Sequence, residues 1–269
     1  MAAPALGRRR PRLSVGARLL AGVLLVVVVL ALVSLLPTLN RATLGMNEAR
    51  GERVTVHYEQ EEAAALEVLA LADEHASAIE AALGVDEPLS YDIYVYDEQA
   101  TMQRKGYGLL TALLDLDWYI GDNVGTTILL TSPANPGPAH DADTVRQALL
   151  HEMVHAATSV ANPDLSYWLD NGLAGYLSDQ HPPADFAVPD YPVPTLEDTR
   201  VSGLLAPLRF AGFNGYPMSF TYVEFLDRTF GWDRVRALMA TGDHASSLGV
   251  DEAQVYAQWV AWLGEEYGR

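Results

Sequence analysis

The chain of 269 residues has no cysteine and a single lysine, Lys105. Without cysteine there are no disulfides and no thiolate metal site, so a metal would have to rest on histidine, carboxylate or amide donors. The absence does not fix the compartment, because a chain with no thiol is indifferent to redox conditions. Positive charge is also scarce: 17 Lys+Arg oppose 35 Asp+Glu, for a formal net charge of −18. Arg8, Arg9, Arg10, Arg12 and Arg18 stand in a segment, residues 1–40, that holds no acid, so the remainder carries −23. A field of that sign repels phosphate backbones and anionic headgroups and argues against nucleic-acid binding. No phosphate-binding glycine loop and no serine-nucleophile elbow is found. With 49% hydrophobic residues the chain is no disordered polymer, and it suffices for one sizeable core or a small two-lobed domain.

What is present begins with one long apolar run. Leu19 to Leu36 reads LLAGVLLVVVVLALVSLL, without a charge. At ~1.5 Å per residue it predicts about 27 Å of helix, close to the hydrocarbon thickness of a bilayer. The arginines before it predict a cytoplasmic N-terminus and a bulk on the other side. The expected layout is a basic cytoplasmic tail (1–18), a single transmembrane anchor (19–36), a linker (37–52) and an extracytoplasmic domain (53–269), placing the protein at the cell membrane. A cleaved signal peptide, leaving a secreted protein, competes with the anchor. Pro37-Thr38-Leu39-Asn40-Arg41 offers no small-x-small cleavage site and so favours the anchor.

From Arg53 onward the pattern is globular. Val54, Val56 and Tyr58 alternate with polar residues, a strand signal, and Tyr91–Tyr96 is a second strand. Between them Glu61–Leu83 predicts an amphipathic helix ended by Gly84. A helical stretch is expected around Met102–Leu114 and a third strand over Gly125–Thr131. Asp141 or Asp143 caps the next helix, which runs to about Val160. Further helices are expected over Tyr167–Leu177, Pro217–Phe230, Trp232–Met239 and Asp251–Tyr267. Residues 182–194 hold five prolines and predict a loop or lid. Strands first and helices afterwards indicate an α+β fold.

One motif carries chemistry. His151, Glu152 and His155 form H-E-x-x-H within the helix expected to end near Val160. Positions i and i+4 share a helix face, so both imidazoles can reach one zinc at about 2.0–2.1 Å. Glu152 then stands beside the metal's water as general base. Ala148, Leu149, Leu150, Met153, Val154, Ala156 and Ala157 make the helix apolar nearly all round. Two histidines and a glutamate buried there without partners would cost several kcal/mol; a metal resolves that cost, and a hydrogen-bonded polar cluster is the alternative.

HEMVHAATSVANPDLSYWLDNGLAGYLSD resembles the peptidase-MA-like gluzincins, the thermolysin-like zinc metallopeptidase group, in which H-E-x-x-H is followed by W-L-x-E-G-L-A-E-Y. NGYPMSFTYVEFLDRTFGWDRVRALM and VYAQWVAWL are similar to later segments of the same family. The resemblance covers about residues 53–267. It implies a thermolysin-like minimal metallopeptidase fold with a bound Zn2+, and a short sheet whose edge strand, over Gly125–Thr131, holds an extended peptide or protein substrate. It also implies that Tyr216 is a late tyrosine able to stabilise an oxyanion. The chain departs from the family where the third zinc ligand, a glutamate, falls at Asn171, and where a second-shell glutamate falls at Gly175. Asp170, one residue away, is an alternative ligand. Two functions stay open: a zinc peptidase, weakened or intact, and an inactive pseudopeptidase that binds a peptide or partner.

Overall fold

A computed structural model describes residues 15–114, 116–184, 186–203 and 205–268. The architecture is α+β, a small mixed sheet covered by helices and followed by a helical C-terminal half. The strands are β1 (Asn47–Arg50), β2 (Val54–Tyr58), β3 (Tyr91–Tyr96), β4 (Gly121–Val124) and β5 (Thr127–Thr131), arranged β1-β2-β3-β5-β4. β2, β3 and β5 run parallel in the middle, while β1 and β4 pair antiparallel at the two edges.

The expected membrane-spanning helix is overturned. Among the described residues no helix is long and apolar enough to cross a membrane. The apolar run does form a helix, α1 (Val15–Ser34), but the chain leaves it for a 3-10 turn over Leu36–Leu39. Pro37 has no amide hydrogen and disfavours the helical conformation at the residue before it. Only residues 19–34 of the run are therefore helical, about 24 Å against a hydrocarbon core of about 30 Å. The basic tail expected over 1–18 lies, for residues 1–14, outside the described residues.

The strand predicted over Gly125–Thr131 begins at Thr127 and is internal, so it is not the edge strand. The edge is β4, whose Gly-Asp-Asn-Val sequence lacks the apolar alternation that marks a strand. In β5 successive side chains point to opposite faces. Ile128 and Leu130 enter the main core under α2 (Glu62–Leu83) and α4 (Ala142–Ala161). Leu129 enters a smaller one with Tyr96, Leu116, Tyr119 and Met102, the last from α3 (Gln99–Tyr107). The helical stretch expected over 102–114 divides at Gly108 into α3 and a 3-10 turn, Leu109–Leu113.

The C-terminal half holds α5 (Tyr167–Leu177), α6 (Ala206–Gly212), α7 (Gly215–Phe230), α8 (Trp232–Thr241), α9 (His244–Leu248) and α10 (Glu252–Glu266). α5 lies against both α4 and α7. Its approach to α7 is set by Gly172, where a Cβ would meet the Ser219 carbonyl oxygen at 2.5 Å and Val223 Cγ2 at 2.8 Å. The proline-rich segment is anchored: Val188 N–H donates to the Tyr267 carbonyl (2.9 Å), and buried Phe186 packs on the Tyr267 ring.

Candidate metal centre

The site grows from α4. Asp141 caps this helix by accepting from Thr144 N–H at 2.8 Å, and Val145, Leu149, Met153, Val154, Ala156 and Ala157 are wholly buried. That packing fixes the register, which leaves His151, Glu152 and His155 at the one face that meets a cavity of about 600 Å³. His151 and Glu152 are buried as well, at 7% and 9% exposure. The two imidazoles converge, His155 Nε2 lying 3.0 Å from His151 Nε2 with the rings near-perpendicular at 78°.

The outer nitrogens face oxygen. His155 Nδ1 lies 2.7 Å from Asp170 Oδ2, an ion-pair contact although the N–H is not aimed along it. His151 Nδ1 lies 2.8 Å from Gln180 Oε1. An Nδ1 that close to an acceptor carries a proton, so a neutral ring presents a lone pair at Nε2. Two such lone pairs repel unless a proton or a cation lies between them. Ligands of one tetrahedral zinc at about 2.0–2.1 Å would stand about 3.3 Å apart, close to the observed separation. The pair therefore fits two of the four positions of a zinc ion. Among the described residues no third His, Asp or Glu joins them in a metal-holding group.

Asp170 and Asn171 both line the cavity but are otherwise engaged. Asp170 turns Oδ2 to His155 and accepts from Thr158 Oγ1 at Oδ1 (2.5 Å), which places its carboxylate behind the imidazole. Asn171 is buried and its amide nitrogen donates to the Tyr167 carbonyl one turn back (2.9 Å). Tyr216, at the start of α7, stands with its ring centroid 6.4 Å from that of His151 and packs on Phe210 at 5.0 Å. Thus the structure gathers all six expected residues round one cavity and gives each a different posture.

Burial sets the electrostatics. It pushes His151 down to about 3, with the neighbouring His155 charge adding to the effect. Burial works the same way on His155, but the Asp170 carboxylate, then Glu152 and Asp122, override it and lift the ring to about 9. Glu152 is pushed up to about 8 by burial, against the pull of His155. Asp170 is held below the usual carboxylate range: burial opposes ionisation, and His155 and the hydrogen bonds outweigh it. Without metal, the site is then a chain in which ionised Asp170 faces a charged His155 whose Nε2–H donates to neutral His151. Burial also raises Tyr216 well above the usual phenol range, so it remains an O–H donor.

Three contributors were not visible in the sequence. Gln180 emerges only because the chain reverses after α5. Asp122 on β4 shares the cavity and is pushed up by burial. Gly121 leaves the space that Glu152 occupies, since a Cβ there would lie 3.0 Å from Glu152 Cγ and Oε1. His140 also lines the cavity, with Nε2 2.8 Å from the Asp117 carbonyl.

No protein-family model matches the sequence, and no curated protein matches it. Among solved structures, native yeast LTA4 hydrolase aligns with a TM-score of 0.43 and 16% identity, covering 83% of this chain and 37% of that one. The chain thus spans well under half the length of that hydrolase, and a likeness so remote carries neither fold nor function across.

Proposed function

We propose that this chain is a zinc-dependent peptide hydrolase in which His151 and His155 hold the metal and Glu152 handles the proton. The observation that carries the reading is the convergence of two Nε2 atoms at 3.0 Å inside a cavity that also holds a buried carboxylate. Zinc held there would supply Lewis acidity toward a peptide carbonyl and an attacking water. Glu152 accepts the proton of that water as its oxygen adds to the carbonyl carbon, and delivers it to the amide nitrogen as the C–N bond breaks. A nearby dication pulls its raised pKa back down, so that the ionised base is present at neutral pH. Tyr216 donates its O–H to the oxygen on which charge develops. The free edge of β4 offers main-chain groups to an extended substrate. Among the described lining residues there is no lysine or arginine, and Leu110, Leu114, Trp118, Leu205 and Leu208 supply apolar wall. Substrates with apolar or cationic side chains beside the scissile bond fit such a wall better than acidic ones.

One observation favours the second reading, a peptide-binding module without turnover: among the described residues no third His, Asp or Glu completes a metal-holding group with the two imidazoles. The full chain, loaded with zinc and offered a fluorogenic peptide library, separates the two. Hydrolysis that Glu152→Gln abolishes supports the peptidase. Peptide binding without hydrolysis, with or without zinc, supports the module, and absence of zinc binding sinks the peptidase.

A further inference from the structure

On α4 only His155 reaches the ring of His151, at Nε2, and nothing on that helix holds the outer nitrogen. The acceptor at its outer nitrogen comes from beyond the end of α5, and the backbone shows how it is delivered. After Leu177 the chain turns through Asp179, whose φ of 59° lies in the left-handed region that suits Gly, Asn and Asp. The turn returns Gln180 N–H to the Gly175 carbonyl at 2.9 Å. Gln147, one turn before His151 on α4, donates its side-chain amide to the Asp179 carbonyl at 3.4 Å and ties the turn to the same helix. Gln180 is left half-buried with Oε1 at 2.8 Å from His151 Nδ1.

For both rings to offer Nε2 lone pairs to one cation, each must keep its proton on Nδ1. The Asp170 carboxylate, 2.7 Å from Nδ1, favours that on His155 through its charge. With His155 also neutral, as metal binding requires, a His151 with no acceptor at Nδ1 would be free to carry its proton on Nε2, in the space between the rings, where it excludes a metal. We propose that Gln180 is the positioning residue for His151, holding it in the Nδ1–H tautomer, so that a carboxylate and an amide from opposite ends of α5 aim the pair together. This rests on the zinc reading above, and it gives the turn at Asp179 a purpose that chain reversal alone does not.

The test uses the full chain with Gln180→Leu, of similar size but without an acceptor, and Gln180→Glu, which keeps one. Two measurements are made on folded protein: imidazole nitrogen spectra of the metal-free form, and zinc affinity by competition with a chromophoric chelator. In the leucine variant His151 should shift toward the Nε2–H tautomer above about pH 9, where His155 no longer donates to it, and zinc should bind about 10- to 100-fold more weakly. The glutamate variant should keep the Nδ1–H tautomer and bind zinc about as the wild type does. An unshifted tautomer with unchanged affinity in Gln180→Leu overturns the proposal. Should that variant not fold, a lost tautomer or lost affinity in Gln180→Glu overturns it instead. If even the wild type binds no zinc, the functional reading fails, and the tautomer spectra alone decide the role of Gln180.

Discussion

Lowering the pH from 8 to 6 should weaken zinc binding about 100-fold, because zinc and a proton compete for the same place between His151 and His155. In the metal-free site Asp170 outweighs burial and holds His155 protonated up to about pH 9, while burial keeps His151 neutral down to about 3. Throughout the interval from 6 to 8 one proton must therefore leave for each zinc that enters. That is tenfold in affinity per pH unit, or about 2.7 kcal/mol over two units. Glu152, raised to about 8, can only steepen the slope if it too ionises on binding. The assay is competition against a chromophoric chelator of known protonation at fixed ionic strength. Asp170→Asn is the control: it removes the charge that raises His155, so affinity should level off between pH 7 and 8. A wild-type affinity that changes less than about threefold between pH 7 and 8, where an ordinary histidine is already neutral, refutes the competing proton. So does an Asp170→Asn variant with the wild-type slope.

In chelator the stability should fall as pH rises from 6.5 to 9, read by calorimetry. His155, raised above its unfolded value, contributes fully below 6.5 and loses that contribution through about 9, and Glu152, also raised, costs stability up to about 8; a rising melting temperature over that range counts against both shifts. Gly172→Ala should destabilise by about 1–3 kcal/mol, since the Ser219 carbonyl stands 2.5 Å from the new Cβ, which outweighs a helix-propensity gain of about 1 kcal/mol; denaturant unfolding at unchanged stability would show that α5 and α7 separate easily. Tyr216→Phe should lower kcat about 10- to 100-fold with zinc affinity unchanged, and an unaltered kcat removes Tyr216 from the chemistry.

The sequence made α4 legible because a single helix carries its whole message. The H-E-x-x-H spacing, the apolar surround and the Asp141 cap are all local, and the helix observed, Ala142–Ala161, has the expected face. What local pattern cannot show is which residue stands behind which. Asp170 was an alternative metal ligand in the sequence; its position at 2.7 Å from His155 Nδ1 depends on how α5 crosses α4. Gln180 depends on a left-handed Asp179, a conformation that sequence favours only weakly outside glycine. β4 was hidden because an edge strand needs little apolar alternation when only its pairing with β5 defines it. The apolar run of residues 19–36 reads as a span by composition, whereas its α-helix stops at Ser34 and no helix among the described residues is long and apolar enough to cross a membrane.

The missing glutamate at residue 171 also changes meaning once the surroundings are known. A carboxylate bound directly to zinc lowers the charge of the site but also reduces the metal's acidity toward water and carbonyl. Here the neutral Asn171 spends its amide nitrogen on the Tyr167 carbonyl, and the negative charge stands one step away. Asp170 is already ionised behind His155, while burial raises Glu152 to about 8 and also pushes Asp122 up. Replacement of the shared proton by a dication would neutralise His155, free the full charge of Asp170, and lower the cost of ionising Glu152 and Asp122. Compensation would thereby be coupled to the event that needs it, and Glu152, the residue proposed to take the proton, would be among the groups that ionise. A glutamate at 171 would tighten a bound metal through a direct bond; the arrangement present would hold it more loosely and would keep more of its charge for the bond to be broken.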